Sequence, residues 1–598
     1  MVFNFIQMKK YLIYLLFLYC FFICFWGLNW GTPSWQKSLQ IFETKEDILK
    51  YLPQMIELRK NFYNKVEKIF IEKKDLKESI QKTYSHNLKS LAFEKLSDTV
   101  KLDAMRGYFL GSVNNDEQRN IVAIGNMNPL KFDFNPDDFT YGGLHFYLIA
   151  ASFLIGKIIG LISLNSDVSY YFFHPDEIKN MYILMRMISA VFTLLTVILL
   201  YKMIKFIFLN NIKSETLNVQ NSFNYGVIFN CIGCLFLLVS PLIILNSHIA
   251  KPHTQGMFWC LLGTYFSFKI LRNNDFKNYI FSGIFFGLAV SCLYSNFICI
   301  FILFLVEFLK NNFIFKKILN KKFIVANLIF IFVFFITNWY IIFNFNKFLK
   351  MKEGLGIIFG YGKFSFNETF SFIKEFFTTN IPVILLFILL FGFIRLFKIN
   401  KNYFTVISGF LIILFISDLF YFRHPNVFII GLPFISILLS YGIEYFFITK
   451  KLFIKISGLI YSVVVLVFLL VSSILQTGLY CRLNNLTYCG GWINKNIPLK
   501  SSIGVINGWF TPGDYPAFRF LDYELIHLPT YIDWEKDKLP EYIISLKNSL
   551  EEKYSNYLNN NYKKIFSLKR NENRFISLFF YYEVPTERLD INVYRKTS

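Results

Sequence analysis

Long apolar runs alternate with short basic segments along most of the chain. An α-helix needs about 20 mainly apolar residues to cross the hydrocarbon core of a bilayer. The pattern therefore predicts an all-α, multi-spanning membrane domain with about eleven transmembrane helices, accompanied by external helices that lie against the membrane. The predicted spans are Tyr11–Leu28, Tyr182–Phe208, Val227–Asn246, Gly256–Phe268, Tyr279–Leu293, Phe297–Leu309, Phe323–Ile342, Ile381–Phe397, Phe404–Phe420, Val427–Phe447 and Ile456–Leu475.

The basic residues of the loops predict the orientation of these spans. Cytoplasmic loops carry an excess of Lys and Arg, so Lys9 and Lys10 place the N-terminus inside and the long segment after the first span outside. The apolar segment Leu144–Leu164 is long enough to cross, but a crossing there would turn every later basic loop outward. We expect this segment to lie along or dip into the outer surface, and the alternative is a true span with a re-entrant segment elsewhere in the chain.

The same pattern divides the chain into four parts. Residues 1–28 form the first anchor, and residues 29–181 form a large external loop with juxtamembrane helices. Residues 182–475 form the multi-spanning domain. From residue 476 to 598 short apolar runs alternate with polar helical stretches, which predicts a small external α/β domain. The apolar runs of that domain are Ser502–Ile506, Leu525–Leu528, Tyr542–Leu546 and Ile576–Tyr582.

The composition agrees with a membrane protein. Hydrophobic residues make up 54% of the chain, and Phe alone occurs 74 times, which is more apolar surface than a soluble core requires. A net charge of +22 would suggest nucleic acid as the partner of a soluble protein. Here the basic residues cluster between apolar runs, as topology signals and contacts with anionic lipids do. We therefore expect the lipid bilayer as a partner and no nucleic acid.

Three polar segments of the predicted outer face contain the candidate chemistry. The first is Asp116 to Arg119 at the start of a short amphipathic helix, where a plain helix cap is the competing interpretation. The second is the aromatic and turn-rich stretch Lys131–His145. The third is Ser247–His253, which places two histidines and Lys251 within one short loop. Either of the last two could also be an ordinary interfacial loop.

Together these segments resemble a known family. Gly27–Ser34, Asp116-Glu117 and Phe132–Tyr147 resemble the GT-C glycosyltransferases of the dolichyl-phosphate mannosyltransferase and aminoarabinose transferase type, the glycosyltransferase 39 group. Ser247–His253 and the helix of Arg186 look like a bacterial branch of that group. The resemblance implies a membrane enzyme that moves a sugar from a polyprenyl-phosphate donor to a glycan, lipid or protein acceptor. It also implies a multi-pass protein of the bacterial inner membrane, with the active site and the C-terminus outside the cytoplasm.

By that resemblance Asp116, with Glu117 beside it, is the catalytic carboxylate that deprotonates the acceptor, and the anomeric carbon is inverted. Sugar transfer from a lipid phosphate needs the same groups, because a carboxylate can activate the acceptor hydroxyl and fixed cations stabilise the departing phosphate. The candidate phosphate ligands are Arg119, Arg186, His248, Lys251, His253 and Arg423, and the candidate substrate-binding residues are Tyr141 and His145.

Two features leave alternatives open. Many relatives carry a second acidic residue where this chain has Lys251-Pro252-His253, so no metal ligand is assigned and no cofactor is certain, although paired histidines could hold a divalent cation. His174 to Glu177 contains a rival carboxylate pair. A transporter or flippase of lipid-linked sugars, or a non-catalytic protein that handles them, is the alternative function. We find no clear internal repeat of the kind that transporters show.

Overall fold

The structure is a computed structural model. It describes residues 2–72, 94–212, 219–314, 318–359, 366–379, 381–422, 424–481, 485–506, 515–528, 539–546, 558, 560–568 and 590–597.

The N-terminal part contains two long helices, α1 (Val2–Phe25) and α3 (Lys45–Glu72), and several shorter ones. Helix α1 contains the first apolar run, and Ser34 caps the next helix through its side chain. Asn114 is the N-cap of helix α5 (Asn115–Gly125), and its side chain accepts a hydrogen bond from the Asp116 amide. The remaining helices of this part are α2 (Trp35–Ile41), α4 (Asp98–Leu110), α6 (Gly143–Ile158) and α7 (Ser169–Phe172).

The middle of the chain is a bundle of apolar helices packed around one core. That core runs from Leu16 of α1 to Tyr480 at the end of the bundle. The helices of this part of the chain are α8 (Pro175–Ile212), α9 (Val219–Leu238), α10 (Pro241–Ser247), α11 (His253–Asn273), α12 (Phe276–Cys292), α13 (Ile300–Lys310), α14 (Lys321–Thr337), α15 (Tyr340–Phe343), α16 (Phe345–Phe359), α17 (Phe366–Thr379), α18 (Leu386–Ile399), α19 (Lys401–Ser417), α20 (Leu432–Ile448) and α21 (Leu452–Leu479). Of these, α15 and α16 pack in a separate small cluster with Phe139.

Within the described residues, four helices are long and apolar enough to cross a membrane: Pro175–Phe208, Lys401–Phe420, Asn426–Ile448 and Leu452–Leu479. They support an integral membrane protein, and the expected total of about eleven spans stays a prediction. The predicted span Val227–Asn246 is broken into α9 and α10, which meet at a bend of 69°. The bend falls at Ser240-Pro241, where proline supplies no amide hydrogen to continue the helix.

The segment predicted to lie on the outer surface forms α6. Its 16 residues make a rod of about 24 Å, shorter than a hydrocarbon core of about 30 Å. Several apolar side chains near its C-terminal end, among them Ile155 and Ile158, are exposed. The length and the exposed apolar side chains favour a helix that lies against or dips into the membrane surface.

The C-terminal part is a mixed sheet with one helix, α22 (Asn485–Asn496), in front of it. Strands β2 (Ser502–Ile506), β3 (Glu524–Leu528) and β4 (Tyr542–Leu546) coincide with three predicted apolar runs and pair in parallel. The fourth run, Ile576–Tyr582, lies outside the described residues. Strands β5 (Tyr562–Leu568) and β6 (Ile591–Lys596) extend the sheet on the β4 side, and β1 (Glu94–Lys95) pairs antiparallel with β3, so the strand order is β1-β3-β2-β4-β6-β5.

The segment predicted to be the first external loop and the C-terminal sheet are packed together. Strand β1 comes from the loop, and the Tyr108 hydroxyl donates to the Tyr515 carbonyl over 3.0 Å. The Lys101 ammonium donates to the Tyr523 carbonyl over 3.1 Å. Apolar residues from both segments form one core. Two regions that are far apart in the sequence therefore make one unit outside the helical bundle, and we call it the external unit because it lies outside that bundle.

Candidate active site

The site is built on the first turn of α5. Asn114 caps this helix, and Asp116 and Glu117 follow as its first acidic residues. Carboxylates are stabilised there by the free amide groups of the helix terminus. Adjacent residues on a helix point about 100° apart, so the two carboxylates enter different surroundings.

Glu117 enters the interior and pairs with Arg186 of α8. Both side chains are fully buried, and the guanidinium grips the carboxylate with two hydrogen bonds of 2.8 and 2.7 Å. Glu117 also accepts from the Ser112 hydroxyl over 2.6 Å and from the Ala250 amide over 2.8 Å. A buried ion pair is tolerated when its remaining hydrogen-bonding capacity is used in this way.

Arg186 reaches a third part of the chain as well. Its Nη1 donates to the carbonyls of Leu28 and Trp30 over 2.7 and 2.6 Å, and the guanidinium lies 5.1 Å from the Trp30 ring centre. The Glu117–Arg186 pair therefore joins four parts of the chain: the end of the first predicted span, α5, α8, and the loop between α10 and α11 that contains Ala250. Because the contacts of Glu117 and Arg186 are internal, neither side chain is presented to a ligand, although both were predicted as site residues.

Asp116 stays at the surface of the same turn. One of its carboxylate oxygens lies 2.7 Å from Lys251 Nζ, and the side chains are 38% and 18% exposed respectively. Burial by itself raises the pKa of Asp116, but the Lys251 ammonium, helped by Arg119 and His253, brings that pKa below its usual value. The structure thus brings together two residues that lie far apart in the sequence and were both predicted for this site.

Arg119, one turn further along α5, faces the aromatic stretch. Its Nε lies 2.9 Å from an oxygen of Asp138, whose other oxygen accepts from the Thr140 amide over 2.7 Å. Tyr141 is buried beside these charges. Its hydroxyl feels the electrostatic influence of four charged side chains: Lys251, Asp116, Arg119 and Asp138. Asp138 was not singled out from the sequence, and its position in the turn-forming Asn-Pro-Asp-Asp run is the signal that could have indicated it.

Three histidines lie near one another, and two of them, His253 and His424, lie beside the Asp116–Lys251 pair. His145 Nδ1 contacts the Gln255 side-chain oxygen at 3.2 Å, and Tyr141 packs edge-on against its ring. His253 is buried, and burial together with the Lys251 charge lowers its pKa. His424 lies close enough for the charges of Lys251 and Asp116 to act on it. Among the described residues, His145 Nε2 and His253 Nδ1 are buried without a hydrogen-bond partner.

His248 belongs to the interior rather than to this cluster. Its two ring nitrogens contact the carbonyls of Ile244 and Trp26 at 2.7 and 2.9 Å, and its ring stacks on Tyr480 at 4.2 Å. The Trp30 indole donates to the His248 carbonyl over 3.0 Å. These contacts tie the start of the external loop to the bundle, so His248 supports the site from behind.

Lys352 of α16 is a second residue that was not predicted. Its Nζ lies 4.0 Å from the Tyr294 ring centre and 3.5 Å from the Thr140 carbonyl oxygen. Burial lowers the pKa of Lys352 to about 7, against the attraction of Asp138. The helix is held to the stretch by Lys347, which binds both oxygens of Asp137 over 2.7 Å. Nothing in the local sequence of α16 distinguishes Lys352 from its neighbouring lysines.

The remaining predicted residues are placed as follows. Arg423 lies outside the described residues. The rival group is engaged locally: His174 stacks on Tyr170 at 3.9 Å, Asp176 pairs with Lys179 at 3.6 Å, and Glu177 accepts from the Ser163 amide over 2.6 Å. Among the residues that the structure describes, no group of three or more His, Cys, Asp and Glu side chains could hold a metal ion.

Comparison with known proteins gives matches in structure alone. No family model matches the chain, and no curated protein matches it. An ArnT from Cupriavidus metallidurans bound to undecaprenyl phosphate is similar at 9% identity and a TM-score of 0.38, over 76% of this chain and 88% of that one. Its apo form gives 10% identity and a TM-score of 0.36 over the same shares of the two chains.

The oligosaccharyltransferase AglB from Archaeoglobus fulgidus, in complex with an inhibitory peptide and a dolichol-phosphate, is also similar. The identity is 12% and the TM-score is 0.33, over 70% of this chain and 62% of that one. ArnT and AglB are members of the GT-C superfamily, which the sequence resembles. At these TM-scores the activity of this chain has to be inferred from its own contacts.

Proposed function

We propose that the protein is a membrane glycosyltransferase that moves a sugar from a polyprenyl-phosphate donor to an acceptor hydroxyl or amine. The observation that carries the proposal is the Asp116–Lys251 pair. It places a half-exposed carboxylate against an ammonium at the junction of the external unit and the helical bundle. A sugar transfer from phosphate needs both a base for the acceptor and a cation for the leaving group.

In the proposed reaction Asp116 takes the proton of the acceptor as the acceptor oxygen or nitrogen bonds to the anomeric carbon. The bond between that carbon and the phosphate oxygen breaks on the opposite side, which inverts the centre. The lipid phosphate leaves with the electron pair, and Lys251 and Arg119 offset its negative charge. Tyr141, His145 and His253 border the same cluster and are proposed to contact the substrates.

The buried pair is proposed to position this machinery. Glu117 is the neighbour of Asp116 in α5, and it holds the Ala250 amide, the neighbour of Lys251. One buried carboxylate thus fixes the backbone on both sides of the Asp116–Lys251 contact. We assign Glu117 and Arg186 this role in place of the direct catalytic and phosphate-binding roles expected from the sequence.

A transporter or flippase of lipid-linked sugars is the second candidate. The 69° break between α9 and α10 favours it, because broken helices near a binding site are typical of transporters. Both candidates share the proposed lipid-phosphate ligand. They differ in whether the bond between sugar and phosphate is cleaved.

The deciding experiment follows the release of polyprenyl phosphate from a panel of polyprenyl-phosphate sugars in proteoliposomes. The variant is Asp116→Asn, and the matched control is Asp176→Asn, which removes an exposed carboxylate of the rival group. We expect release by the wild type and the control and its loss in Asp116→Asn. Release that survives in Asp116→Asn and disappears in the control would move the base to the rival group.

Translocation of an intact donor across the bilayer without release would instead support the transporter.

We also propose that the site faces away from the cytoplasm of a bacterial inner membrane. A membrane-impermeant reagent that modifies a cysteine introduced at exposed Lys500 from the periplasmic side would support this orientation. Modification from the cytoplasmic side would contradict it.

A further inference from the structure

Lys352 is a partly buried amine that forms no ion pair with the residues that the structure describes. Its nearest oxygen is the Thr140 carbonyl at 3.5 Å, and the rings of Tyr294 and Phe348 lie at 4.0 and 5.7 Å. No carboxylate lies within ion-pair distance of Lys352 among the described residues. Charged groups that leave water are normally paired, because one long hydrogen bond and two rings do not replace the solvent. Lys352 therefore has no anion in direct contact with it among the described residues.

Arg119 brings a second cation to the same place. Both Arg119 and Asp138 act electrostatically on Lys352. The Arg119 side chain is 40% exposed and contacts Asp138 through Nε. Its two terminal nitrogens have no hydrogen-bond partner among the described residues. Two basic groups thus face one carboxylate, so a second anion would be stabilised here, and its charge would in turn favour the protonated form of Lys352.

The packing of α16 fixes where this charge lies. Phe139 of the aromatic stretch contacts Tyr340 of α15 at 5.6 Å and Phe348 of α16 at 6.0 Å between ring centres. Phe348 is one helical turn before Lys352, so the two share a face of the helix. Lys347, the residue before Phe348, holds Asp137. Aromatic packing and an ion pair therefore carry Lys352 to the Arg119–Asp138 contact.

We propose that Lys352 and Arg119 form a phosphate-binding site that takes the phosphate of the lipid-linked donor and of the departing carrier. This inference rests on the proposed function for the source of the phosphate, but the site itself is defined by the two cations. The terminal nitrogens of a guanidinium suit two oxygens of one phosphate, and an ammonium supplies a compact charge beside them. A free phosphate would satisfy the same chemistry.

The test measures the affinity of the full-length protein, in nanodiscs of neutral lipid, for polyprenyl phosphate and for inorganic phosphate. The variants are Lys352→Met and Lys352→Arg, and Lys350→Met is the matched control, because it removes an exposed lysine of the same helix. We expect Lys352→Met to weaken polyprenyl phosphate binding by roughly 10- to 100-fold. Lys352→Arg should stay within a few-fold of the wild type, and the control should bind normally.

Thermal unfolding without ligand separates a binding role from a structural one. Removal of an unpaired, partly buried charge should leave the ligand-free protein as stable as the wild type or more stable. Lys352→Met that binds polyprenyl phosphate as tightly as the wild type would overturn the inference. A Lys352→Met variant that is destabilised would also count against it, if Lys352→Arg binds as weakly as Lys352→Met does.

The outcomes also separate this inference from the proposed function. Lys352-dependent binding of polyprenyl phosphate by a protein that transfers no sugar would keep the site and reject the transferase. Sugar transfer that is unaffected in Lys352→Met would keep the transferase and reject the site. Lys352-dependent binding of inorganic phosphate, with no preference for the polyprenyl form, would identify a free phosphate as the ligand and contradict the lipid-linked source.

Discussion

Asp116 and Glu117 are neighbours on one helix, and the structure gives them opposite surroundings. Glu117 is fully buried, and its oxygens accept from Arg186, Ser112 and the Ala250 amide. Asp116 is 38% exposed and meets Lys251 across a 2.7 Å contact. Each carboxylate has a cation, but only the second pair can be reached from outside.

The difference follows from what each pair costs to separate. A buried charge that loses its partner is left without water, so the inner pair behaves as a fixed part of the fold. The outer pair keeps contact with solvent, so a ligand phosphate can take Lys251 and leave Asp116 as a carboxylate. Two adjacent acids can thus provide the positioning and the chemistry of one site.

The largest effect is expected from breaking the inner pair. Arg186→Met leaves the Glu117 carboxylate buried without its cation, which should cost about 3–5 kcal/mol of stability and remove most folded protein. Thermal unfolding and the yield of monodisperse protein in detergent measure this. The double variant Glu117→Gln with Arg186→Met should recover part of the loss, because no uncompensated charge remains. A single variant as stable as the wild type would contradict the assignment.

The next effect concerns the outer carboxylate. Asp116→Asn should lower the rate of sugar transfer by roughly 10²- to 10⁴-fold, which is the usual contribution of a positioned base. Its unfolding temperature should change little, because the side chain is partly exposed. Comparison of the turnover rate with the melting curve checks both statements. A rate loss that only parallels a loss of folded protein would assign Asp116 to the fold.

Lys251→Met should produce a smaller effect of a different kind. The Lys251 ammonium holds the pKa of Asp116 below its usual value, so its removal raises that pKa. The carboxylate is then lost at a higher pH as the solution is acidified, and the acid limb of the pH–rate profile should move upward. Affinity for the donor should also fall by roughly 10-fold. A pH–rate profile with an unmoved acid limb would show that the two groups are not coupled.

The smallest effect is expected at the edge of the external unit. Arg519 and Glu43 form an ion pair of 2.9 Å, in which the Glu43 side chain is 73% exposed. Exposed pairs contribute about 0–1 kcal/mol, so Glu43→Gln should barely change the unfolding temperature. Glu43→Gln serves as a reference for the other variants, since it removes an acid whose side chain is mostly exposed. A large loss of stability would mean that exposure is a poor guide to the role of a pair here.

Local sequence signals predicted many of the elements well. Helix α20 and the strands β2 and β4 lie where apolar runs predicted a span and two strands. Asp116, Lys251 and Tyr141 were also predicted as site residues, and the structure brings them together. The strands β5 and β6 were missed, because their alternation is interrupted by charged residues such as Lys563 and Arg595.

Other features depended on contacts between distant segments. No local feature of the sequence separates the role of Glu117 from that of Asp116, because the partner of each acid lies in another helix or loop. The break at Ser240-Pro241 was hidden inside a continuous apolar run. In the sequence, Lys352 does not differ from the neighbouring lysines Lys347 and Lys350. Its place near Arg119 depends on the packing of Phe139 against Phe348.

The sequence by itself determined that this is a helical membrane protein with a C-terminal sheet, because apolar length and alternation are local properties of the chain. It also determined which polar residues were available for chemistry. Only the tertiary structure decided which acid is buried and which cation each one meets. Burial and ion pairing depend on neighbours from other parts of the chain, and no local pattern contains them.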